Sequence, residues 1–303
     1  DGKMEQVSVF GELSPGNPAP LTTIWNVASL TKPITALVAL KLINEGKWDL
    51  DAPIYTDYTD PDIANDPKTK LLTTRMVLSH QTGFPNWRGS TKNGKLTFEF
   101  QPGTKYQYSG EGYEYLRKAL EHRFNKSLNE LARELIFEPL KMRDTRFVWD
   151  EKTEETRFAK WHKKRGELYE TEKSTTVNAA DNLLTTVEDY SRFLLHVLQG
   201  AGLSEKLYHE MAASQVRING YKYFGLGWWV DENITGNNDF AMVHGGDDIG
   251  VHTIVFIVPK TKRALLIFTN SDNGTEAFSE ILVKFLGEEG QGILNVEMKN
   301  DSR

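Results

Sequence analysis

The sequence contains no cysteine, so disulfide bonds, thiolate metal sites and a cysteine nucleophile are all excluded. No apolar run approaches the roughly eighteen residues that a membrane-spanning helix needs. Basic residues are fewer than acidic ones, and the formal net charge is −6 at pH 7. This charge argues against a general binder of nucleic acid or anionic membranes. His244 and His252 lack a third partner at a recognisable metal-binding spacing, and neither a metal nor a cofactor is predicted.

The chain has 303 residues, of which 39% are hydrophobic, enough for one large globular domain or two closely packed ones. Strand-like patterns occur at residues 5–12 and 22–27, whereas helical spacing prevails in the middle of the chain. Residues 223–269 are again strand-like, and a helix over 275–286 is predicted to close the chain. Residues 150–176 are charged and weakly periodic, which predicts a solvated excursion.

This order of elements predicts two regions that meet at a seam. A sheet domain is expected from residues 1–52 and 215–303, and a mainly helical region, residues 53–214, is expected as an insertion between them. The fold class is therefore α/β of the α+β multi-domain type, with an antiparallel sheet flanked by N- and C-terminal helices. An active site is expected at the seam, because ligand sites are common between domains.

A short apolar segment at 24–28 leads into a helix, with Ser29 at the junction. Unpaired N–H groups and the positive end of the helix dipole favour negative charge on a serine oxygen there. Lys32 follows three residues later, so the two side chains share a helix face. Lys32 could take the proton of Ser29 or lower the pKa of another base. The pair alone is common by chance, but a lysine in an apolar helix start is costly and suggests catalysis.

Three motifs follow one another along the chain: Ser29-Leu-Thr-Lys32, Tyr108-Ser-Gly110 and His244-Gly245-Gly246. Further matching stretches are LSHQTGFP at 78–85, FEPLKMRDT at 137–145, LTTVED at 184–189 and FGLGWW at 224–229. Through this ordered set the chain resembles the superfamily of serine β-lactamases and penicillin-binding proteins, over nearly all of residues 5–287. It is most similar to the branch of class C β-lactamases, D-alanyl-D-alanine carboxypeptidases, D-amino-acid peptidases and family VIII carboxylesterases. The resemblance implies a β-lactamase/transpeptidase-like fold.

The resemblance also implies a role for each catalytic residue. Ser29 would be the nucleophile that forms an acyl-enzyme, and Tyr108 a general acid or base whose pKa of about 10 Lys32 would lower. Which of Lys32 and Tyr108 takes the proton of Ser29 is left open, and Tyr106 rivals Tyr108 on spacing alone. The backbone N–H groups of Ser29 and Asp247 would form the oxyanion hole.

The third and second motifs carry further expectations about substrate binding. His244, Gly245 and Gly246 would form an inner edge strand that a substrate backbone can approach closely. His244 replaces a lysine of many relatives, so we expect it to titrate near pH 6.5 and to contact a substrate carboxylate. Gly110 replaces an asparagine of penicillin-recognising relatives, and a small gap is expected there. The missing amide should favour simple esters over β-lactams.

The leading hypothesis is a serine hydrolase that cleaves esters or small amide and peptide bonds through an acyl-enzyme on Ser29. Two alternatives stay open: a β-lactamase or D-alanyl-D-alanine carboxypeptidase proper, and a catalytically weakened peptide- or penicillin-binding protein. Expected partners are small-molecule esters, amides or D-amino-acid peptides, without nucleic acid, and the oligomeric state is undetermined. The resemblance predicts a periplasmic or extracellular bacterial protein, although no signal peptide is recognisable in this sequence.

Overall fold

The computed structural model describes residues 3–300, which form helices and antiparallel strands. The helices are α1 (Thr31–Asn44), α2 (Thr74–Leu78), α3 (Gly110–Phe124), α4 (Leu128–Ala132), α5 (Val187–Leu198), α6 (Glu205–Ala212), α7 (Phe278–Leu286) and α8 (Glu288–Asn300). The strands are β1 (Glu12–Ser14), β2 (Asn17–Pro18), β3 (Trp25–Asn26), β4 (Leu184–Thr185), β5 (Val216–Arg217), β6 (Lys222–Phe224), β7 (Trp229–Glu232), β8 (Phe240–Asp248), β9 (Val251–Val258) and β10 (Arg263–Thr269). Mixed helices and an antiparallel sheet confirm the predicted fold class.

The main sheet is a six-stranded antiparallel meander in the order β10-β9-β8-β7-β6-β5. Its long strand β9 is rich in buried β-branched and aromatic residues, which favour the pleated backbone. Strand β8 pairs with β9 from Met242 to Asp248, but with β7 only as far as Val243. Residues 244–248 of β8 therefore have β9 on one side and no strand of the described chain on the other.

Helix α1 is the central helix of the core. Every residue from Thr31 to Leu40 is buried, as the continuous apolar sequence predicts for a helix covered on all sides. The helix ends at Asn44, and Gly46 follows at φ +68° with its N–H donating to the carbonyl oxygen of Ile43. This positive φ explains the glycine, because other residues adopt that conformation at a cost.

Side-chain caps set the starts of several helices. Ser127 and Glu130 form a reciprocal capping box at α4, Thr186 caps α5, and Ser204 caps α6. Ser109 caps α3, so the helix begins at Gly110, the last residue of the second motif. Within residues 3–300, no helix is both long and apolar enough to cross a membrane.

The two ends of the chain differ from the prediction. Residues 5–11 are not a strand, β1 pairs only with β2, and of the segment 22–27 only β3 is a strand, paired with β4. In the described part of the chain, neither of these N-terminal pairs joins the main sheet, whose strands all lie within residues 216–269. Alternation predicts an extended backbone, but it does not identify a partner for its hydrogen bonds. Helix α8 was not predicted, and the domain boundaries stay a prediction.

Candidate active site

The Ser29 turn is held by hydrogen bonds to residues 179–183, which we call the clamp segment. The N–H of Val27 donates to the carbonyl oxygen of Leu183 at 3.0 Å, and the hydroxyl of Thr35 donates to the carbonyl oxygen of Ala179 at 2.7 Å. Ala28, immediately before Ser29, has φ +46°, a strained backbone for a residue with a Cβ. These contacts therefore fix the backbone conformation at Ser29.

Lys32 contacts Ser29 from the first turn of α1. Its Nζ donates to Oγ of Ser29 at 2.8 Å and to the carbonyl oxygen of Ala180 at 2.8 Å. The lysine side chain is fully buried, and this burial lowers the pKa of Lys32 to about 7, against the opposing effect of Asp181. Near neutral pH a large share of Lys32 is therefore an uncharged amine with a free lone pair.

Tyr108 lies against the same pair of residues. Its hydroxyl shares a hydrogen bond with Ser29, and Nζ of Lys32 lies 4.6 Å from the centre of its ring. The ring stacks on Trp229, with 5.5 Å between the ring centres and 7° between the planes. It also packs against the tilted ring of His80, with 4.2 Å between the ring centres. The structure thus brings Ser29, Lys32 and Tyr108 together.

The expected downward shift of the Tyr108 pKa is wrong. Burial raises the pKa of Tyr108, because the phenolate would lose its hydration, and this outweighs the hydrogen bond from Ser29. Tyr108 is therefore a neutral hydroxyl. Tyr106, the rival on spacing, accepts a hydrogen bond from the indole of Trp229 at 3.0 Å and points elsewhere.

The unpaired edge of β8 passes beside the Ser29 turn. A Cβ on Gly246 would collide with the carbonyl oxygen of Val27 and the hydroxyl of Thr253, and it would lie 3.0 Å from the backbone nitrogen of Ser29. Only glycine permits this approach, whereas Gly245 has more space, with its nearest neighbour at 3.6 Å. The contact brings the backbone of Gly246 close to the N–H of Ser29.

His244 lies in the third motif, but its ring does not reach the open side of the cleft. The ring is fully buried, and its Nδ1 donates to the carbonyl oxygen of Gly245 at 2.8 Å. Burial and the charge of Lys32 lower the pKa of His244 to about 3. The expectation that His244 titrates near pH 6.5 and binds a carboxylate as a cation is therefore wrong, because spacing reveals position and not burial.

Gly110 is the first residue of α3, and the gap expected beside it is filled. A Cβ on Gly110 would come within 2.6 Å of the indole ring of Trp87. The N–H of Gly110 donates to the side-chain oxygen of Asn86 at 2.9 Å, so the loop before Trp87 is tied to the helix. The expectation of a small gap is therefore wrong, because the aromatic ring of Trp87 fills the space beside the glycine.

Sequence reasoning gave no functional role to three residues around the site. His80 is fully buried, and its Nδ1 accepts the N–H of Ser109 at 3.0 Å, next to Tyr108. The ring of Trp87 packs against Gly110. Asp181 follows Ala180, whose carbonyl oxygen accepts the hydrogen bond from Lys32. His80 and Trp87 lie in or beside the matched stretch at 78–85, which was a signal for both, whereas nothing in the sequence marked Asp181.

Comparisons with known proteins found similar sequences and similar structures. Lovastatin esterase from Penicillium rubens is 27% identical over 164 residues, which are 43% of this chain and 41% of that protein. The structure of a penicillin binding protein from Bacillus halodurans matches with a TM-score of 0.79 at 17% identity, covering 93% of this chain and 94% of that one. D-amino acid amidase from Ochrobactrum anthropi matches with a TM-score of 0.71 at 22% identity, covering 97% and 89%.

The first curated relatives are longer proteins than this chain. The matches cover 33%, 53%, 33% and 41% of their lengths, so the chain spans between a third and about half of them. The family model described as Beta-lactamase, in contrast, matches residues 1–286. Because that match extends over nearly the whole sequence and the solved structures share the fold, the chain belongs to the beta-lactamase family.

Proposed function

We propose that this protein is a serine hydrolase that cleaves esters or small amide bonds through an acyl-enzyme on Ser29. The observation that carries the proposal is the 2.8 Å contact between Nζ of Lys32 and Oγ of Ser29, made by a lysine whose pKa is lowered to about 7. A general base must lie within about 2.6–3.2 Å of the group that it deprotonates. Lys32 meets this requirement, and its neutral form supplies the lone pair.

The chemistry follows from the protonation states. As Oγ of Ser29 attacks the substrate carbonyl carbon, its proton passes to the Lys32 amine, and the N–H groups of Ser29 and Asp247 stabilise the oxyanion. Tyr108, kept neutral by burial, donates its proton to the leaving group and recovers one from the Lys32 ammonium. A water molecule then attacks the acyl ester. The groups that acted as base and as acid in the first step exchange these roles, and Ser29 is restored.

Simple esters and small amides are the substrates that the site supports best. The names of the relatives include a lovastatin esterase and a D-amino acid amidase. Trp87 fills the space beside Gly110, and His244 is uncharged, so neither residue offers a β-lactam the amide or cationic contact expected from the family pattern. β-Lactamase or carboxypeptidase activity proper is therefore the lesser candidate. A periplasmic or extracellular location stays a prediction.

The assembled site also argues against a catalytically weakened binding protein. Such a protein would be expected to have lost a proton-transfer group, yet Ser29, Lys32 and Tyr108 are all present and in contact. The geometry therefore favours an enzyme that turns over its acyl-enzyme.

Covalent labelling of Ser29 tests the proposal. We expect a fluorophosphonate probe to label the wild type at Ser29, and Ser29→Ala to abolish both the labelling and the burst of nitrophenol from p-nitrophenyl acetate. Ser279→Ala, which changes an exposed serine on α7, is the matched control and should keep both signals. Labelling that persists at another residue in Ser29→Ala, with an unchanged burst, would disprove the assignment.

A further inference from the structure

His80 follows helix α2 in a backbone conformation that usually selects glycine. The N–H of His80 donates to the carbonyl oxygen of Val77 at 3.1 Å, and the N–H of Gln81 donates to that of Met76 at 2.7 Å. These two bonds form a Schellman motif, in which the residue after the helix cap is left-handed and is most often glycine. His80 has φ +56°, so its Cβ adds steric strain. The backbone conformation therefore does not account for a histidine at this position.

The ring of His80 accepts a hydrogen bond from a buried backbone group. Its Nδ1 accepts the N–H of Ser109 at 3.0 Å, and the ring is fully buried. Because an accepting nitrogen carries no proton, the neutral imidazole has its proton on Nε2. Nε2 has no hydrogen-bond partner within residues 3–300. The strained backbone and the unpaired N–H both cost stability, which indicates that the histidine serves the contacts of Nδ1 and of the ring face.

Those contacts all concern Tyr108, which lies in a stretch without regular secondary structure. Residues 101–109 form neither helix nor strand, so no such element fixes the tyrosine. The carbonyl oxygen of His80 accepts the N–H of Gln107 at 2.8 Å, and its Nδ1 accepts the N–H of Ser109. Its ring packs on the phenol ring, with 4.2 Å between the ring centres. One residue therefore holds the backbone on both sides of Tyr108 and contacts its ring.

The histidine ring is itself fixed by its neighbours. The rings of Phe224 and Tyr113 pack against it, with 4.7 and 5.3 Å between the ring centres. The hydroxyl of Tyr108 shares a hydrogen bond with Ser29, so the phenol has to point at the nucleophile. A displacement of about 1 Å in such a group can lower a rate about a hundredfold. His80 is thus a rigid anchor for a group whose position is critical.

We propose that His80 is a positioning residue for the general acid: it holds Tyr108 where the phenol can protonate the leaving group. This inference rests on the proposed function, in which Tyr108 donates that proton as the bond to the leaving group breaks. The ring of His80 has no exposed surface and does not touch the substrate. Its effect on the reaction therefore passes through Tyr108 alone.

The leaving group distinguishes a misplaced acid from a damaged fold. Two esters with the same acyl group are compared, p-nitrophenyl butyrate and ethyl butyrate. The p-nitrophenolate ion is a weak base and departs without a proton, whereas ethoxide is a strong base and needs one. A partly unfolded enzyme loses the same factor in kcat/KM on both esters. A misplaced acid loses more on the ethyl ester.

A pair of variants at His80 separates the acceptor from the shape of the side chain. His80→Leu removes the acceptor, whereas His80→Asn keeps one, because Oδ1 of asparagine takes the place of Nδ1 and asparagine tolerates positive φ. We expect His80→Leu to lower kcat/KM for the ethyl ester at least about tenfold more than for the p-nitrophenyl ester. Tyr108→Phe should shift the ratio in the same direction, and His80→Asn should restore most of it.

His196→Leu is the matched control. It removes a half-buried histidine of α5, beside Lys41 and Gly202 near the other end of α1. The variant is expected to lose stability but to keep the wild-type ratio between the two esters.

A measurement on the wild type does not depend on how any variant folds. Nitrogen-15 NMR of the histidine rings, assigned with His80→Asn, should show the His80 proton on Nε2 at pH 7, because Nδ1 accepts a hydrogen bond. Burial also lowers the pKa of His80 well below 6.5, so the ring should be neutral. A proton on Nδ1 would overturn the inference, since that nitrogen could not then accept from Ser109.

The kinetic outcomes separate this inference from the proposed function. Equal losses on both esters in folded His80→Leu, or an asparagine variant no better than the leucine one, would overturn the inference and leave the hydrolase intact. The same holds if Tyr108→Phe shows no dependence on the leaving group while Ser29 is still labelled, because His80 would then have no acid to position. Absence of turnover and of Ser29 labelling would overturn both proposals.

Discussion

Lys32 has no exposed surface, and its burial destabilises the ammonium form more than the carboxylate of Asp181 stabilises it. If the neutral amine is the base, kcat/KM for an uncharged ester should rise with pH through an acid limb near pH 7, where Lys32 loses its proton. Removing the Asp181 charge removes stabilisation of the cation, so the limb of Asp181→Asn should move to lower pH. The measurement is kcat/KM against pH in both proteins.

Two other outcomes would contradict this account of the base. A limb that stays in place in Asp181→Asn would show that Lys32 is not the titrating group. Lys32→Ala should lower the rate about a hundredfold or more, as expected for removal of a positioned base. A mild loss would likewise show that Lys32 is not the base. The histidines His80 and His244 are not expected to produce the limb, because burial lowers the pKa of both.

The identities of the central residues could be predicted from sequence, but their environments could not. Ser29 and Lys32 share a helix face by spacing alone, and the structure brings them together as expected. Whether Tyr108 is a phenol or a phenolate, and whether His244 is charged, depends on burial by residues far along the chain. Both pKa predictions were wrong for this one reason: burial raises the pKa of Tyr108 and lowers that of His244.

At the scale of elements, the start of α3 and the loop before it form a unit. Gly110→Asn should lower the free energy of unfolding by about 1–3 kcal/mol, because its side chain must displace the ring of Trp87. In the double variant Gly110→Asn/Trp87→Ala the two losses should be less than additive, since the ring no longer opposes the new side chain. Urea unfolding of the four proteins measures the coupling.

Gly89→Ala provides the control for that cycle. It lies in the same loop, but a Cβ there would meet nothing within 4 Å, so its stability should stay close to that of the wild type. Strict additivity of the two losses, in folded proteins, would show that Trp87 and Gly110 do not compete for the same space.

Local signals predicted most helices and misled at the strands of the N-terminus. The cap at Ser127, the continuous apolar face of α1 and Gly46 after its end are all encoded within a few residues. The partner of β3 is not, because β3 pairs with β4 far along the chain. Trp87 over Gly110 is a contact of the same long-range kind, and short-range patterns do not reveal it.

At the scale of the whole molecule, one buried cluster ties the main sheet to the last helix. Asp231 on β7 is fully buried, with Nζ of Lys222 3.5 Å from its Oδ1, and Lys222 also pairs with Glu297 on α8 at 2.5 Å. Burial raises the pKa of Asp231 from 3.8 to about 7. Between these values the folded protein keeps a proton that the unfolded chain releases, so this group makes stability fall as pH rises.

Asp231→Asn should therefore abolish that part of the pH dependence. We expect the free energy of unfolding of the variant, relative to wild type, to increase as pH rises from about 4 to about 7. Denaturant unfolding at several pH values measures the difference. A relative decrease over this window would mean that Asp231 is stabilised as an anion in the folded state.

The meander of the main sheet has a kinetic consequence. Its strands β5 to β10 follow one another along residues 216–269, so its contacts have low sequence separation and are fast to form. The contact between Lys32 and Ala180 instead closes a loop between residues 148 positions apart, at a much larger entropic cost. During refolding the sheet should be complete before the nucleophile is assembled, so a chain with native-like sheet structure still lacks activity until the clamp segment docks.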